Sequence, residues 1–236
     1  MSLLPKSQVR SRNWGAGRQS EGAGRQSEGA VAPIRGRGSA KPKGPGAPAG
    51  GLGAVRNAQM KRIDIPYDKL ILPVCRTWEQ DWLLLTAGDL PAGAFNPMTV
   101  AWGGFGVMWS RPLAMVVVRP TRHTYRFMEQ YDTFTLCAFH EEHRDKLEYC
   151  GNHSGRNGDK VKACGLTPIP SRSIKAPGYA EADLIVECRK VYFDDLEPSR
   201  FLASTIAPNY PAKDYHRIYF GEIVAVSGTT DYMQKG

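Results

Sequence analysis

Three observations predict a mainly β fold for this 236-residue chain, a closed or partly closed barrel with short peripheral helices. Strand-length runs rich in β-branched and aromatic residues recur at residues 82–86 (WLLLT), 98–102 (MTVAW), 112–118 (PLAMVVV) and 134–139 (FTLCAF). Two longer segments alternate at strand period, residues 182–193 around Leu184, Val186 and Cys188, and residues 217–226 around Ile218, Phe220, Val224 and Val226. Few of these runs are separated by a full-length helical pattern, which argues against a doubly wound sheet.

Taken in order, the body opens at residue 63 with an extended lead broken by Pro66 and Pro73, and runs into the strand at 82–86. Residues 87–91 (AGDLP) read as a turn. The strand at 98–102 is broken by Gly103, Gly104 and Gly106, so GGFG reads as a turn, and it lacks the strand-to-helix setting of a dinucleotide-binding fingerprint. The apolar run 112–118 is a second strand. Residues 125–131, with Tyr125, Phe127, Met128 and Tyr131, suit a short amphipathic helix, and 134–139 a buried strand. Residues 141–149 are charged and helical in character, with Leu147 as apolar anchor. A Gly-rich loop at 151–158 leads into a short helix at 159–163, ended by Gly165 and Pro168.

Between the strand at 112–118 and the helix at 125–131 the composition flips to Arg119, Pro120, Thr121, Arg122, His123 and Thr124. Hydroxyls and guanidinium groups therefore gather at a helix N-terminus. Unpaired N–H groups and the positive dipole end meet there, which favours an anion such as a phosphate monoester. The alternative is that Thr121 or Thr124 simply caps the helix.

Four ordered segments, NPMTVAW at 96–102, RPLAMVVVRPTRHTYRF at 111–127, SGRNGDKVKACGLTP at 154–168 and YHRIYFGEIVAV at 215–226, resemble the flavin reductase-like family. The resemblance runs from about residue 65 to residue 226. It implies a Greek-key, FMN-binding split barrel of the kind that includes the flavoredoxins. It implies that Asn96, Met98, Thr99 and Trp102 line the isoalloxazine, and that Arg119, Arg122 and Thr124 lie on the phosphate side. Ser154, Arg156, Asp159 and Lys160 match a second loop motif that closes over the cofactor from the same subunit or a dimer mate. Two alternatives stay open: Trp102 as an ordinary core aromatic, and Asp159 as a helix cap. His216 matches the His before the closing strand and is the catalytic candidate. Several relatives have Asp directly before that His, whereas here Asp214 is one residue further away.

By the same resemblance the expected function is an FMN-binding oxidoreductase, an NAD(P)H-dependent flavin reductase that holds the nicotinamide only transiently, and a homodimer. A flavoredoxin-like electron carrier reduced by a protein partner and a non-catalytic FMN-binding protein are the alternatives.

Composition separates this body, residues 60–236, from a tail at residues 1–59. The tail is rich in Gly, Pro and Arg, repeats GAGRQSE in tandem, and reads as disordered. It holds ten of the 31 basic residues and two of the 23 acidic ones, leaving 21 of each in the body. The high pI is thus a property of the tail, and the folded body has no charge excess calling for nucleic acid. Met60 is an alternative natural start. No secretory signal and no apolar run of membrane-spanning length is apparent, so a cytoplasmic location is expected. Five cysteines without a C-x-x-C pair read as reduced and mainly buried. His140, His143, Cys150 and His153 have ligand types that suit zinc, but a solvated helix face with a buried Cys150 is the preferred reading and no metal is expected.

Overall fold

The computed structural model describes residues 61–234, so the tail expected at residues 1–59 lies outside them. In chain order the elements are β1 (Ile63–Asp64), α1 (Val74–Arg76) running into a π-turn at Thr77–Asp81, β2 (Leu83–Asp89), β3 (Ala94–Val100), β4 (Gly103–Met108) and β5 (Arg111–Val118). They continue with α2 (His123–Gln130), β6 (Thr133–Ala138), α3 (Arg144–Asn152), α4 (Lys160–Ala163), β7 (Pro168–Ile169), β8 (Gly178–Tyr179), β9 (Leu184–Asp195) and β10 (Arg217–Gly228). The expected mainly β architecture with short peripheral helices is what forms.

One antiparallel sheet carries the fold, in the order β3-β2-β6-β9-β10-β5-β4, with β1 pairing the far end of β10. The outermost strands of that order, β3 and β4, are consecutive in sequence and joined by Ala101 and Trp102 alone. In a flat sheet they would stand six strand spacings apart, about 29 Å. The three Cα steps from Val100 to Gly103 reach at most about 11 Å. The sheet must therefore curl until its ends meet. β3 and β4 do not pair across the seam, and the barrel is split there.

Strand alternation sorts side chains into two layers. Leu83, Leu85 and Ala87 of β2 join Leu136, Leu184, Val186, Val116 and Tyr219 inside the barrel. Leu84, Cys137 and Ile185, the neighbours of opposite parity, face outward into a second cluster with Leu147, Cys150 and Val161 of α3 and α4. Period-two alternation with both faces covered explains why β2 is buried almost throughout.

Two local expectations are corrected. Residues 87–89 belong to β2, and the turn comes after them. GGFG is not a turn: Gly103, Gly104 and Gly106 lie within β4, paired with Met115, Leu113 and their neighbours on β5. Glycine normally weakens a strand, but at the seam it is required, because a Cβ on Gly103 would stand 2.4 Å from the Met115 carbonyl oxygen and 2.4 Å from the Trp78 ring. The reversal falls instead at Trp109 and Ser110, both with positive φ (53° and 56°), in a two-residue hairpin closed by the Met108–Arg111 pair.

Gly103→Ala is expected to lower the unfolding free energy by about 1–3 kcal/mol, since neither a strand carbonyl nor a packed indole can give way cheaply. Gly106→Ala, whose Cβ would meet nothing within 4 Å, should stay within about 0.5 kcal/mol of the parent. Urea titrations of both variants check the pair, and equal losses would remove the seam as the cause.

Candidate functional site

β5 ends at Val118, and the chain turns through residues 119–122 into α2, which packs back over β2 and β3. The Ncap is Arg122, and no side chain caps the helix. Neither Thr121 nor Thr124 therefore acts as the cap, and the residues that open the helix, Arg122, His123 and Thr124, line a small cleft of about 100 Å3. The helix starts two residues earlier than expected, which moves His123 and Thr124 into its first turn.

The cleft is lined by Met98 of β3, residues 121–124 of the α2 start, Cys150 and His153 at the end of α3, Ser154, Gly155 and Arg156 of the following loop, and Lys160 of α4. Six of the residues singled out from sequence, Met98, Arg122, Thr124, Ser154, Arg156 and Lys160, thus come together from separate parts of the chain. The loop is held tightly: a Cβ on Gly155 would overlap Asn96 Oδ1 at 2.0 Å, and Arg156 donates to the Thr121 carbonyl at 3.0 Å. Asp159 caps α4 through Val161 N and Lys162 N, which fills the cap role left open for it.

Asn96 and Thr99 support the cleft from beneath. Asn96 is buried, and its Nδ2 donates to Thr124 Oγ1 at 2.6 Å and to the Pro97 carbonyl at 3.0 Å. Thr124 is buried as well, so its hydroxyl ties α2 to β3. Thr99 Oγ1 donates to the Leu147 carbonyl and ties α3 to the same strand. Because β3 is an end strand of the sheet, Pro97 is tolerated in it, and one side of its backbone ladder has no strand partner.

The cleft has positive side chains and no carboxylate among its lining residues. Lys160 is only 5 % exposed, and its ammonium donates to the Cys150 carbonyl at 3.1 Å. Burial pushes its pKa down to about 8, and Arg122 adds to the depression. Arg122 still reaches solvent, yet its pKa is lowered by desolvation and by Arg119. His123 is held below the ordinary imidazole range by burial and by the charges of Arg126, Arg156 and Lys160. Its Nδ1 is buried without a hydrogen-bond partner among the described residues. An uncapped helix start, a desolvated ammonium and an orphaned imidazole nitrogen around one cleft fit an anion with several acceptor oxygens.

Arg119, Trp102 and His216 form a neighbouring group rather than part of this cleft. Arg119 donates to Asp214 at 2.6 Å and to the Asn209 carbonyl at 2.8 Å. Its charge is thereby matched by a carboxylate. Trp102 is 48 % exposed, so it is not a core aromatic, and its ring centroid lies 5.2 Å from that of His216. His216 is buried, and Nδ1 lies 2.9 Å from Tyr210 Oη. Burial, then Arg119, pushes the His216 pKa down to about 4.

Sequence reading missed Tyr210 and the orphaned His123 nitrogen. Tyr210 reaches His216 from a 3-10 turn on the excursion between β9 and β10, a contact no spacing rule encodes. His123 had only its place beside Arg122 as a signal. The set His140, His143, Cys150 and His153 does not gather: among the described residues no group of three or more His, Cys, Asp or Glu side chains is arranged to hold a metal. The five cysteines are free, and Cys75 is exposed rather than buried.

A family model described as "Flavin reductase like domain" matches residues 78–235. Among solved structures, an FMN-binding domain of a flavin reductases-like enzyme from Shewanella baltica superposes with a TM-score of 0.54 at 18% identity, covering 73% of this chain and 80% of that one. Flavoredoxin of Desulfovibrio vulgaris gives 0.51 at 22% identity, covering 70% and 80%. Both likenesses concern the fold. A curated relative, an uncharacterized protein of Pyrococcus abyssi, is 24% identical over 123 residues, 51% of this chain and 59% of that protein's length.

Lys160→Met tests the charge balance of the cleft. With a folded pKa of about 8 against an ordinary value of 10.5, the buried ammonium costs stability in full below pH 8, and the cost fades as pH rises toward 10.5. The variant is therefore expected to be more stable than the parent at pH 6–7 without ligand, with the gap closing on the alkaline side. Denaturant titrations at pH 6.5 and 10 check this, and a pH-independent difference would contradict it.

Proposed function

The chain belongs to the flavin reductase-like family, as the match over residues 78–235 shows, and from that premise we propose that it is an FMN-binding oxidoreductase with NAD(P)H as transient electron donor. The observation that carries the reading is the convergence of Met98, Arg122, Thr124, Ser154, Arg156 and Lys160 on one cleft without a carboxylate. In this reading Arg122, Arg156, Lys160, the Ser154 hydroxyl and the N–H groups at the start of α2 hold the FMN phosphate. Asn96, Met98 and Thr99 present the unpartnered edge of β3 to the isoalloxazine, with Trp102 as a wall. Arg119 keeps its bond to Asp214 and positions the Tyr210–His216 side. FMN, when bound, supplies the two-electron chemistry. The chain's own residues bind it, orient it and set the charge around it.

The electron donor is a nicotinamide in the first reading. The half-exposed Trp102 leaves that side accessible to a protein donor as well, which supports a flavoredoxin-like carrier as the second. Among the described residues no helix is long and apolar enough to cross a membrane, and a cytoplasmic location remains part of the proposal. A homodimer is proposed from an exposed aromatic surface. Trp109, exposed with Val107 (74 % exposed) and Met108 on the β4–β5 hairpin, lies beside the exposed Tyr192 of β9, the two ring centroids 6.2 Å apart.

A visible spectrum of the purified protein, followed by anaerobic NADH or NADPH, tests the function. Bleaching of a bound-flavin band with turnover supports the nicotinamide-dependent reductase. A bound flavin that neither nicotinamide reduces shifts the assignment to the carrier or to a non-catalytic FMN-binding protein, and failure to take up FMN overturns all three. The phosphate assignment has its own check. Arg122→Ala should weaken FMN binding roughly ten- to a hundredfold, the loss of one charge-assisted hydrogen bond of about 1.5–3 kcal/mol, and leave riboflavin nearly unaffected. Equal losses for the two flavins would move the phosphate away from Arg122.

For the assembly, sedimentation equilibrium at micromolar concentration should give a dimer that Trp109→Glu shifts toward monomer. A flavin-loaded monomer of the parent would rule the dimer out.

A further inference from the structure

The pairing of Tyr210 with His216 determines what His216 can do. His216 stands just before β10, its carbonyl accepting from Leu196 N at 3.0 Å, and Nδ1 lies 2.9 Å from the Tyr210 hydroxyl. Both side chains are buried, at 9 % and 5 % exposure. The direction of this hydrogen bond follows from the groups around it. Arg119 lies against the pair, its guanidinium carbon 4.8 Å from the Tyr210 ring centroid, and Arg122 is close enough to act on the imidazole. The nearby carboxylate, Asp214, is taken up by Arg119 at 2.6 Å. From the excursion between β9 and β10 the remaining ionisable group at the pair is Tyr215, its ring centroid 4.9 Å from that of Tyr210, and from the seam the neutral Trp102 closes the set.

An imidazolium here would be a further cation beside two arginines, with no carboxylate bonded to it. The ring is therefore neutral, and a neutral imidazole has one donor and one acceptor nitrogen. The Tyr210 hydroxyl has no other acceptor among the described residues, and burial raises its own pKa, so it keeps its proton and donates. Nδ1 is the acceptor, and the proton lies on Nε2.

We infer that Tyr210 is a positioning residue that fixes His216 as the neutral, Nε2-protonated imidazole, so that His216 serves this site as a hydrogen-bond donor and not as a proton-delivering acid. The inference assigns a role within the flavin reading above, while the tautomer itself does not depend on bound flavin. His216 thus offers a fixed donor beside Trp102. The low pKa set by burial and by Arg119 agrees, because the ring then carries no extra proton to give at neutral pH.

Heteronuclear NMR of the imidazole nitrogens in the full chain with FMN added tests this, with His216 assigned by the signals lost in His216→Gln. In the parent, Nδ1 is expected to show the shift of an unprotonated, hydrogen-bonded nitrogen and Nε2 that of a protonated one. Tyr210→Phe keeps the ring against Phe201 (centroids 5.9 Å apart) and removes only the hydroxyl. It should produce a mixture of tautomers and raise the His216 pKa by about one unit, since the neutral ring loses its donor. A protonated Nδ1 in the parent, or a Tyr210→Phe spectrum like the parent's, overturns the assignment. FMN uptake, read by absorbance on the same samples, separates the two readings. A parent that shows the Nδ1 acceptor without binding FMN keeps this inference and loses the flavin function, and one that binds FMN with a protonated Nδ1 does the reverse.

Discussion

The two-residue link Ala101–Trp102 is the constraint on which the rest of the structure depends. It forces the ends of a seven-strand order to meet without pairing, and an unpaired seam is costly unless something else occupies its backbone groups. Part of the cost is met locally. Trp78 covers the seam from the π-turn, with its ring 5.5 Å from that of Phe105 on β4, and Gly103 admits it by lacking a side chain. On the β3 side the chain sends α2 and α3 across, tied down by the Asn96–Thr124 and Thr99–Leu147 hydrogen bonds. What is left open between those ties is the cleft. The site thus lies beside the seam of a barrel whose connectivity brings β3 and β4 together although the two strands do not pair.

Charge distributes unevenly around that opening, and the two sides of Arg122 show it. Toward His216, Arg119 is matched by Asp214, and the balance leaves a neutral imidazole in a mostly aromatic setting of Trp102, Tyr210 and Tyr215. Toward α4, Arg122, Arg156 and Lys160 meet no carboxylate among the lining residues. An elongated ligand with an anionic end and a flat apolar end would find each requirement met on the appropriate side. The fold produces this asymmetry because Asp214, on the excursion between β9 and β10, pairs with Arg119 at 2.6 Å and reaches the cleft only at its rim, where Thr121 donates to it at 3.4 Å.

How much of this was legible in the sequence depended on whether the signal was local. The long alternating strands declared themselves, because one parity of β9, with Leu184 and Val186, had to be apolar to fill the barrel. Motif order picked out Arg122 in one segment and Ser154, Arg156 and Lys160 in another, and these four do share one cleft, whereas Arg119 pairs with Asp214 outside it. β4 was not legible: three glycines in four residues carry the signature of a turn, and only the close approach of Trp78 and Met115 makes them strand residues. Nor was the Trp109–Ser110 hairpin, whose positive φ values suit Asn-Gly far better than Trp-Ser. Thr124 lines the same cleft, but its hydroxyl accepts from Asn96 on β3, a contact 28 residues away in sequence.

The features that fit the cleft for an anion are also features that burden the empty fold. A buried ammonium whose pKa has fallen to about 8, an imidazole nitrogen with no partner among the described residues and a helix start with no side-chain cap each oppose folding. Ordinary selection for stability would replace them, with Met at Lys160 or Ser at the Ncap. Their joint presence around one opening makes sense if a ligand normally relieves them, since binding to the folded state alone adds RT ln(1 + [L]/Kd), about 2.7 kcal/mol at a hundredfold excess over Kd. On the proposed reading, stability and binding are then the same free energy viewed from two states, and a filled cleft would be the more stable form.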